Sequence, residues 1–265
     1  MNKRTECIII GTALALGAVL CIVKLVSILY QPKASITATM SASADSSSTD
    51  EDIAVKPSDP SVGTADVYVC PVDFEKLQGY NSDIYAWIQI ADTDINYPVV
   101  QSPADDSYYL THNSDRDYSS EGSIFSEHEY NSKDFNDTVT VLYGHHMRSG
   151  AMFGNLQNYF SDIGFWNSYP VIRIYLPDRE LRYAVFAAIP YKNAHMLHYH
   201  DFSDTKVYTD FFEEIMSTKS EEARFHEENA PENGDKVIAL STCLNGNRNN
   251  RFVVFGKLIY DSSVQ

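Results

Sequence analysis

Between Ile95 and Tyr260 apolar residues recur with a period of two in short segments, and this period restricts the fold more than any other feature. The segments are INYPVV at 95–100, SIF at 123–125, TVTVLY at 138–143, VIRIYL at 171–176, LRYAVFAAI at 181–189, KVIALSTC at 236–243 and RFVVFGKLIY at 251–260. Side chains alternate across a strand, so each segment reads as a half-buried strand. In the fourth, Ile172, Ile174 and Leu176 share one face while Arg173 and Tyr175 share the other. The turn Pro177-Asp178-Arg179-Glu180 then folds the chain back into an antiparallel hairpin. Helical spacing is confined to short stretches. Asp73 is placed to cap a helix carrying Phe74 and Leu77, and Ser82 to cap a second with Ile84, Trp87 and Ile88 on one face. Further helices are expected at Met152 to Tyr159 and at Val207 to Ser217, where Val207, Phe211, Phe212 and Ile215 align. With no internal repeat, many short strands and few helices predict a mainly β domain with a closed barrel, because closure removes exposed sheet edges.

The amino-terminal part obeys different rules. Ile8 to Tyr30 is an apolar stretch interrupted only by Lys24, and it is long enough to cross a hydrocarbon core about 30 Å thick. Lys3 and Arg4 precede it, which predicts an amino terminus inside and the remainder outside. No small-residue cleavage site follows closely, and Leu20 before Cys21 does not suit a lipoprotein, so an uncleaved single-pass anchor over residues 1–30 is expected. Residues 31–70 are rich in Ser, Thr, Asp and Pro and read as a flexible linker, leaving 71–265 as the folded domain. The chain holds 20 Lys and Arg against 36 Asp and Glu, a formal charge of −16. Nucleic-acid partners are therefore excluded, since phosphate contacts need clustered cations.

Of four cysteines, Cys7 and Cys21 fall in or beside the apolar stretch, which leaves Cys70 and Cys243 in or near the folded part. That is no disulfide framework, although a single Cys70 to Cys243 bridge is an open alternative. Cys243 ends one apolar strand and Arg251 opens the next. If these strands are neighbours, the two lie roughly 5 Å apart between backbones on one sheet rim. A permanent cation favours thiolate, the form that attacks carbonyl carbon, and a guanidinium also donates to an oxyanion. Tyr143-Gly144-His145-His146-Met147 ends another apolar strand and supplies a proton carrier, His145 first. Each residue alone has an ordinary reading as core cysteine, turn histidine or surface arginine. Together on strand rims they point to a cysteine enzyme of acyl transfer.

These segments resemble the sortases of Gram-positive bacteria, class B in particular. The resemblance is carried by Tyr143-Gly-His-His-Met-Arg-Ser-Gly-Ala-Met-Phe-Gly-Asn-Leu156 and by Leu240-Ser-Thr-Cys, seven residues, then Arg-Phe-Val-Val-Phe-Gly-Lys-Leu258. It extends to Ile84–Ile88, Thr93–Gln101, Tyr108–Leu110 and Gly122–Phe125, in all about residues 72 to 260. It implies a sortase-type barrel of about eight strands with amino-terminal helices and a helix inserted before the penultimate strand, where Val207 to Ser217 lies. It also implies a transpeptidase that cleaves a carboxy-terminal sorting signal of exported proteins after Thr and transfers the acyl group to an amine of a cell-wall precursor. By position, Cys243 is the implied nucleophile, His145 the acid and base, and Arg251 the oxyanion donor, while Tyr143, Ser241 and Thr242 match positions lining the substrate groove. No cofactor and no metal are implied. A membrane anchor with a flexible spacer suits an enzyme acting outside the cell between an emerging substrate and a lipid-linked amine.

Some residues compete or depart from the family. His146 stands where the family often has Asn; His145 is favoured because the Tyr-Gly-His order is what matches, and neighbours on an extended segment point to opposite sides. Arg248 competes with Arg251, but it sits in an Asn-rich loop, whereas Arg251 is anchored by the strand that follows. Asp105-Asp106 replaces a pair expected to end in Asn. His195, His198 and His200 resemble metal spacing, yet no acidic or cysteine ligand follows at a usual interval, so a polar loop is expected. Two other functions remain as alternatives: a cysteine endopeptidase that gives its acyl group to water, and a silent sheet domain that binds peptides by strand addition. Within the family reading, polymerisation of pilins is a further alternative.

Overall fold

The structure, a computed structural model, describes residues 68–244 and 247–264. The apolar stretch at 8–30 and most of the linker lie outside the described residues, as do Cys7, Cys21 and the side chain of Arg248. Helix α1, Phe74–Tyr80, begins the folded part, and Asp73 caps it by accepting from the Lys76 N–H. Strands β1 (Ile84–Ile90), β2 (Asn96–Val100), β3 (Ile124–Phe125) and β4 (Val139–Tyr143) follow. Two short helices, α2 (Leu156–Ser161) and α3 (Ile163–Trp166), lead into the hairpin of β5 (Val171–Tyr175) and β6 (Glu180–Lys192). Then come α4 (Met196–Tyr199), α5 (Thr205–Met216), the two-residue strand β7 (Arg224–Phe225), β8 (Val237–Leu244) and β9 (Asn247–Asp261).

Hydrogen bonding joins the strands in the order β5-β1-β2-β3-β4-β8-β9-β6, and a further β5–β6 pairing closes the ring. Eight strands therefore form a closed barrel, with β7 attached outside it on β6. Most neighbours are antiparallel, but β2–β3 and β4–β8 are parallel. Alternation sorts the strand residues into two cores. Every barrel strand contributes to the first, through residues such as Ile88, Val99, Ile124, Leu142, Ile172, Tyr183, Leu240 and Val254, as only an interior allows. The second lies on the outer face of the contiguous strands β4, β8, β9 and β6, where Val141, Ala239, Val253, Phe255 and Phe186 meet α5. Helix α5 is the helix expected before the penultimate strand. Asp204 caps it through the Lys206 and Val207 N–H groups, and Tyr208, Phe211, Phe212 and Ile215 form its buried face.

One expected helix is a strand. Ile84–Ile90 carries Ile84, Trp87 and Ile88 at helical spacing, but the run IYAWIQI is almost wholly apolar and rich in β-branched and aromatic residues. Such a run fits either period, and the pairing of β1 with β2 on one side and β5 on the other decides it. Ser82 is accordingly no cap; its hydroxyl accepts from Arg116. The helix expected at Met152 to Tyr159 starts later, at Leu156, because Met152 adopts a positive φ of 56° that no helix accommodates.

Candidate functional site

The outer face of β4, β8 and β9 is where the candidate residues meet. Along β8, Ile238 and Leu240 point inward, whereas Val237 and Ala239 point toward the outer core. Continuing that alternation puts Ser241 and Cys243 on the outer face and Thr242 inside, opposite Phe252 of the barrel interior. Thr242 is buried and its hydroxyl has no hydrogen-bond partner. Its side chain is thus turned away from the face that carries Cys243.

Cys243 pairs with Arg251 in the β8–β9 register, and the Arg251 Nη1 donates to the Cys243 sulfur at 3.2 Å. The Arg251 backbone is fixed between Cys243 of β8 on one side and Tyr191 of β6 on the other. Both Cys70 and Cys243 are free thiols, so no bridge joins them; the Cys70 sulfhydryl donates to the Leu176 carbonyl at 3.4 Å.

His145 reaches the same rim by way of the parallel pairing. Tyr143 is opposite Ser241, and the Gly144 N–H donates to the Ser241 carbonyl at 3.1 Å. In parallel register two further residues bring His145 level with Cys243. The backbone there is tied down, since the His145 carbonyl accepts the Phe153 N–H at 3.1 Å. Gly144 is required by close packing: a Cβ on it would lie 2.5 Å from the Ile124 side chain and 2.6 Å from the Phe153 ring. The His145 Nε2 lies 2.8 Å from the carbonyl oxygen of Leu110. A carbonyl only accepts, so the proton sits on Nε2 and the lone pair of the neutral ring is on Nδ1. His146 takes the other direction. It pairs with Met152, a residue packed against the interior core, its Nδ1 is buried without a partner, and burial lowers its pKa, favouring the neutral ring.

Tyr143 is half-buried beside these groups. Burial, followed by the negative charge of Glu127, pushes its hydroxyl far above the ordinary tyrosine range, so it remains a donor facing that carboxylate. Glu127 is itself raised by burial and accepts from His195 Nε2 at 2.8 Å. Sequence reasoning did not single out Glu127 or Tyr130, which lie in irregular segments with no periodic or motif signal, and it gave no role to Leu110 within the matching Tyr108–Leu110 stretch. The Asp105-Asp106 pair is turned to local structure: Asp105 accepts from Ser107, and Asp106 accepts the backbone N–H groups of His128 and Glu129. Most of the His195–His200 stretch is the short helix α4, and His195 and His200 bond within it or to Glu127. Among the described residues no group of three or more His, Cys, Asp or Glu is arranged to hold a metal ion.

A thiol, a guanidinium bonded to it and an imidazole with a fixed tautomer on one rim are the parts that acyl transfer requires. Comparison with known proteins agrees in kind. A family model described as the sortase domain matches residues 88–259. Sortase B of Listeria monocytogenes serovar 1/2a (strain ATCC BAA-679 / EGD-e) is 32% identical over 192 residues, 71% of this chain and 74% of that protein. The crystal structure of sortase B from B. anthracis in complex with AAEK1 superposes with a TM-score of 0.60 at 32% identity, covering 70% of this chain and 83% of that one. The Staphylococcus aureus sortase B–substrate complex gives a TM-score of 0.60 at 28% identity, covering 70% and 84%.

Proposed function

Because the chain belongs to the sortase family, as a class B member and a cysteine transpeptidase of surface-protein processing, we propose that Cys243, His145 and Arg251 carry its acyl transfer. The Cys243 sulfur attacks the carbonyl carbon that follows the Thr side chain of a sorting signal, and the carbonyl electrons move onto oxygen. The guanidinium of Arg251, bonded to that sulfur beforehand, donates to this oxyanion. His145 Nδ1 takes the thiol proton of Cys243 as the sulfur attacks and then gives it to the departing amine while Leu110 holds Nε2–H, and a thioacyl enzyme remains. An incoming amine then attacks the thioester, His145 Nδ1 takes its proton, and Cys243 leaves as thiolate. Tyr143 and Ser241 flank the acyl group on the outer face. The single observation that carries this reading is the 3.2 Å contact between Arg251 and Cys243 on paired strands.

The amine belongs to a lipid-linked cell-wall precursor in this proposal, and the chain acts outside the membrane. Residues 1–30 anchor it as a single pass, 31–70 form the spacer, and 71–265 hold the catalysis. Support for the anchor is the length and charge of the 8–30 stretch. Among the described residues no helix is long and apolar enough to cross a membrane, and that stretch lies outside them.

Mass spectrometry tests the reading. The full chain in detergent is mixed with peptides of NPxTx, LPxTG and SPxTG form, with and without a glycine or diamino-acid nucleophile, beside Cys243→Ala. The expected result is a thioacyl adduct and an amide product that needs the amine, both absent from Cys243→Ala. Turnover persisting in that variant would overturn the site, and hydrolysis alone would overturn transfer to these amines.

A further inference from the structure

One set of connected polar groups beside the groove takes no part in the chemistry above. Glu127 lies two residues beyond β3, and its Oε2 accepts from His195 Nε2 at 2.8 Å. The charge of the same carboxylate acts on the Tyr143 hydroxyl. His195 is also the N-cap of α4, because its Nδ1 lies 3.0 Å from the backbone nitrogen of His198. A backbone N–H only donates, so Nδ1 carries the lone pair and the proton is on Nε2. The ring is neutral in this geometry and acts in two directions, capping α4 with one nitrogen and fastening it to the barrel with the other. Tyr130 completes the surroundings, its ring centroid 4.7 Å from that of His195 and its hydroxyl 3.1 Å from His198 Nδ1. Asp106, the other carboxylate acting on Glu127, is occupied by His128 and the Glu129 N–H.

Helix α4 is a single turn, far too short to be stable alone. It follows β6, whose Tyr191 is opposite Arg251, and its Met196 and Leu197 pack into the outer core on the face that carries Cys243. The segment thus forms a wall beside Tyr143, whose ring lies 6.4 Å from that of His195. Its order depends on the cap and on the bond to Glu127.

We propose that Glu127 and His195 are positioning residues that fasten the α4 segment against Tyr143 and thereby set how tightly the enzyme holds its peptide, without entering the reaction at Cys243. The proposal rests on the reading of Cys243, His145 and Arg251 given above. No charge develops at this wall during acyl transfer, so its loss weakens ground state and transition state alike and is read in KM rather than kcat.

Two measurements on the full chain in detergent separate this proposal from the reading beneath it. The first, independent of activity, is amide hydrogen exchange at His198 and Tyr199 together with the ¹⁵N shifts of the His195 ring. Wild type is expected to show a neutral ring protonated at Nε2, and Glu127→Ala to speed exchange in α4 about tenfold while the barrel strands keep their protection. The second is steady-state kinetics with the peptide that wild type cleaves. Glu127→Ala and His195→Asn, the latter retaining a capping side chain too short to reach Glu127, are expected to raise KM about tenfold with kcat within about twofold. Glu127→Asp, which retains the carboxylate, should recover part of the loss. Unchanged exchange in Glu127→Ala, a charged His195 ring, or a fall in kcat at constant KM would overturn the proposal. If wild type cleaves no peptide while α4 loosens as expected, the reading of the site fails and the fastening of α4 stands.

Discussion

His145 and His146 are adjacent and identical in chemistry, and the backbone alone separates their roles. The first continues the outer face of Tyr143 and donates its Nε2–H to the Leu110 carbonyl, while the second pairs with Met152 and leaves a buried nitrogen without a partner. His145→Ala is expected to lower kcat by at least about a hundredfold, the usual scale of a lost acid and base, and His146→Asn to stay within a few-fold of wild type. Peptide cleavage rates of the two variants decide between the rings. At Arg251 the argument turns on shape as well as charge. Arg251→Lys retains the cation but loses the planar fork that reaches both sulfur and oxyanion, so kcat should fall about a hundredfold with little change in thermal stability. Cys243 and Arg251 were legible in the sequence because each ends or opens an apolar strand next to the other. The Glu127–His195 contact was not, because its partners are 68 residues apart in segments without a period.

Strands carry the next level of argument. Gly144 lets the turn after β4 pass against Ile124 and Phe153, and a methyl there meets both. Gly144→Ala should cost about 1–3 kcal/mol in chemical denaturation and lower activity further by displacing His145. The β5–β6 hairpin that completes the barrel is held at its turn by Glu180, which accepts from Arg182 and Arg173. The bond from Arg182, opposed in part by burial, holds the Glu180 carboxyl below its ordinary value of 4.5. A depressed carboxyl stabilises the fold above its ordinary value and loses that contribution as pH falls through the lower native one. Glu180→Gln is therefore expected to cost about 1 kcal/mol at pH 7, the partners being more than a third exposed, and the difference should vanish in denaturation curves taken well below pH 4. Period two revealed most of the strands, and the helical spacing of Val207, Phe211, Phe212 and Ile215 revealed α5. β1 was misread because a strand buried on both faces shows no alternation, a limit set by its two neighbours rather than by its own residues.

At the scale of the molecule, the barrel sorts apolar side chains into an interior and an outer core, and the candidate residues continue the outer face of β8 and β9 beyond that outer core. Closure of a barrel was readable from the number of short strands, but strand order was not, because the parallel β4–β8 pairing joins segments with nearly half of the domain between them. The amino-terminal 30 residues add a test of their own. The full chain should sediment with membranes after salt washing, and a chain lacking residues 1–30 should not, as immunoblotting of the fractions would show.

That parallel pairing also bears on how the enzyme comes into being. The imidazole follows β4, while the thiol and the guanidinium stand on β8 and β9, and β9 is the last strand in the chain. A ribosome makes the chain from the other end, so throughout synthesis Cys243 is an ordinary thiol with no guanidinium beside it. Long-range pairing of this kind is slow to form. The thiol and the guanidinium are therefore brought together only when the last strand to be made pairs with β8.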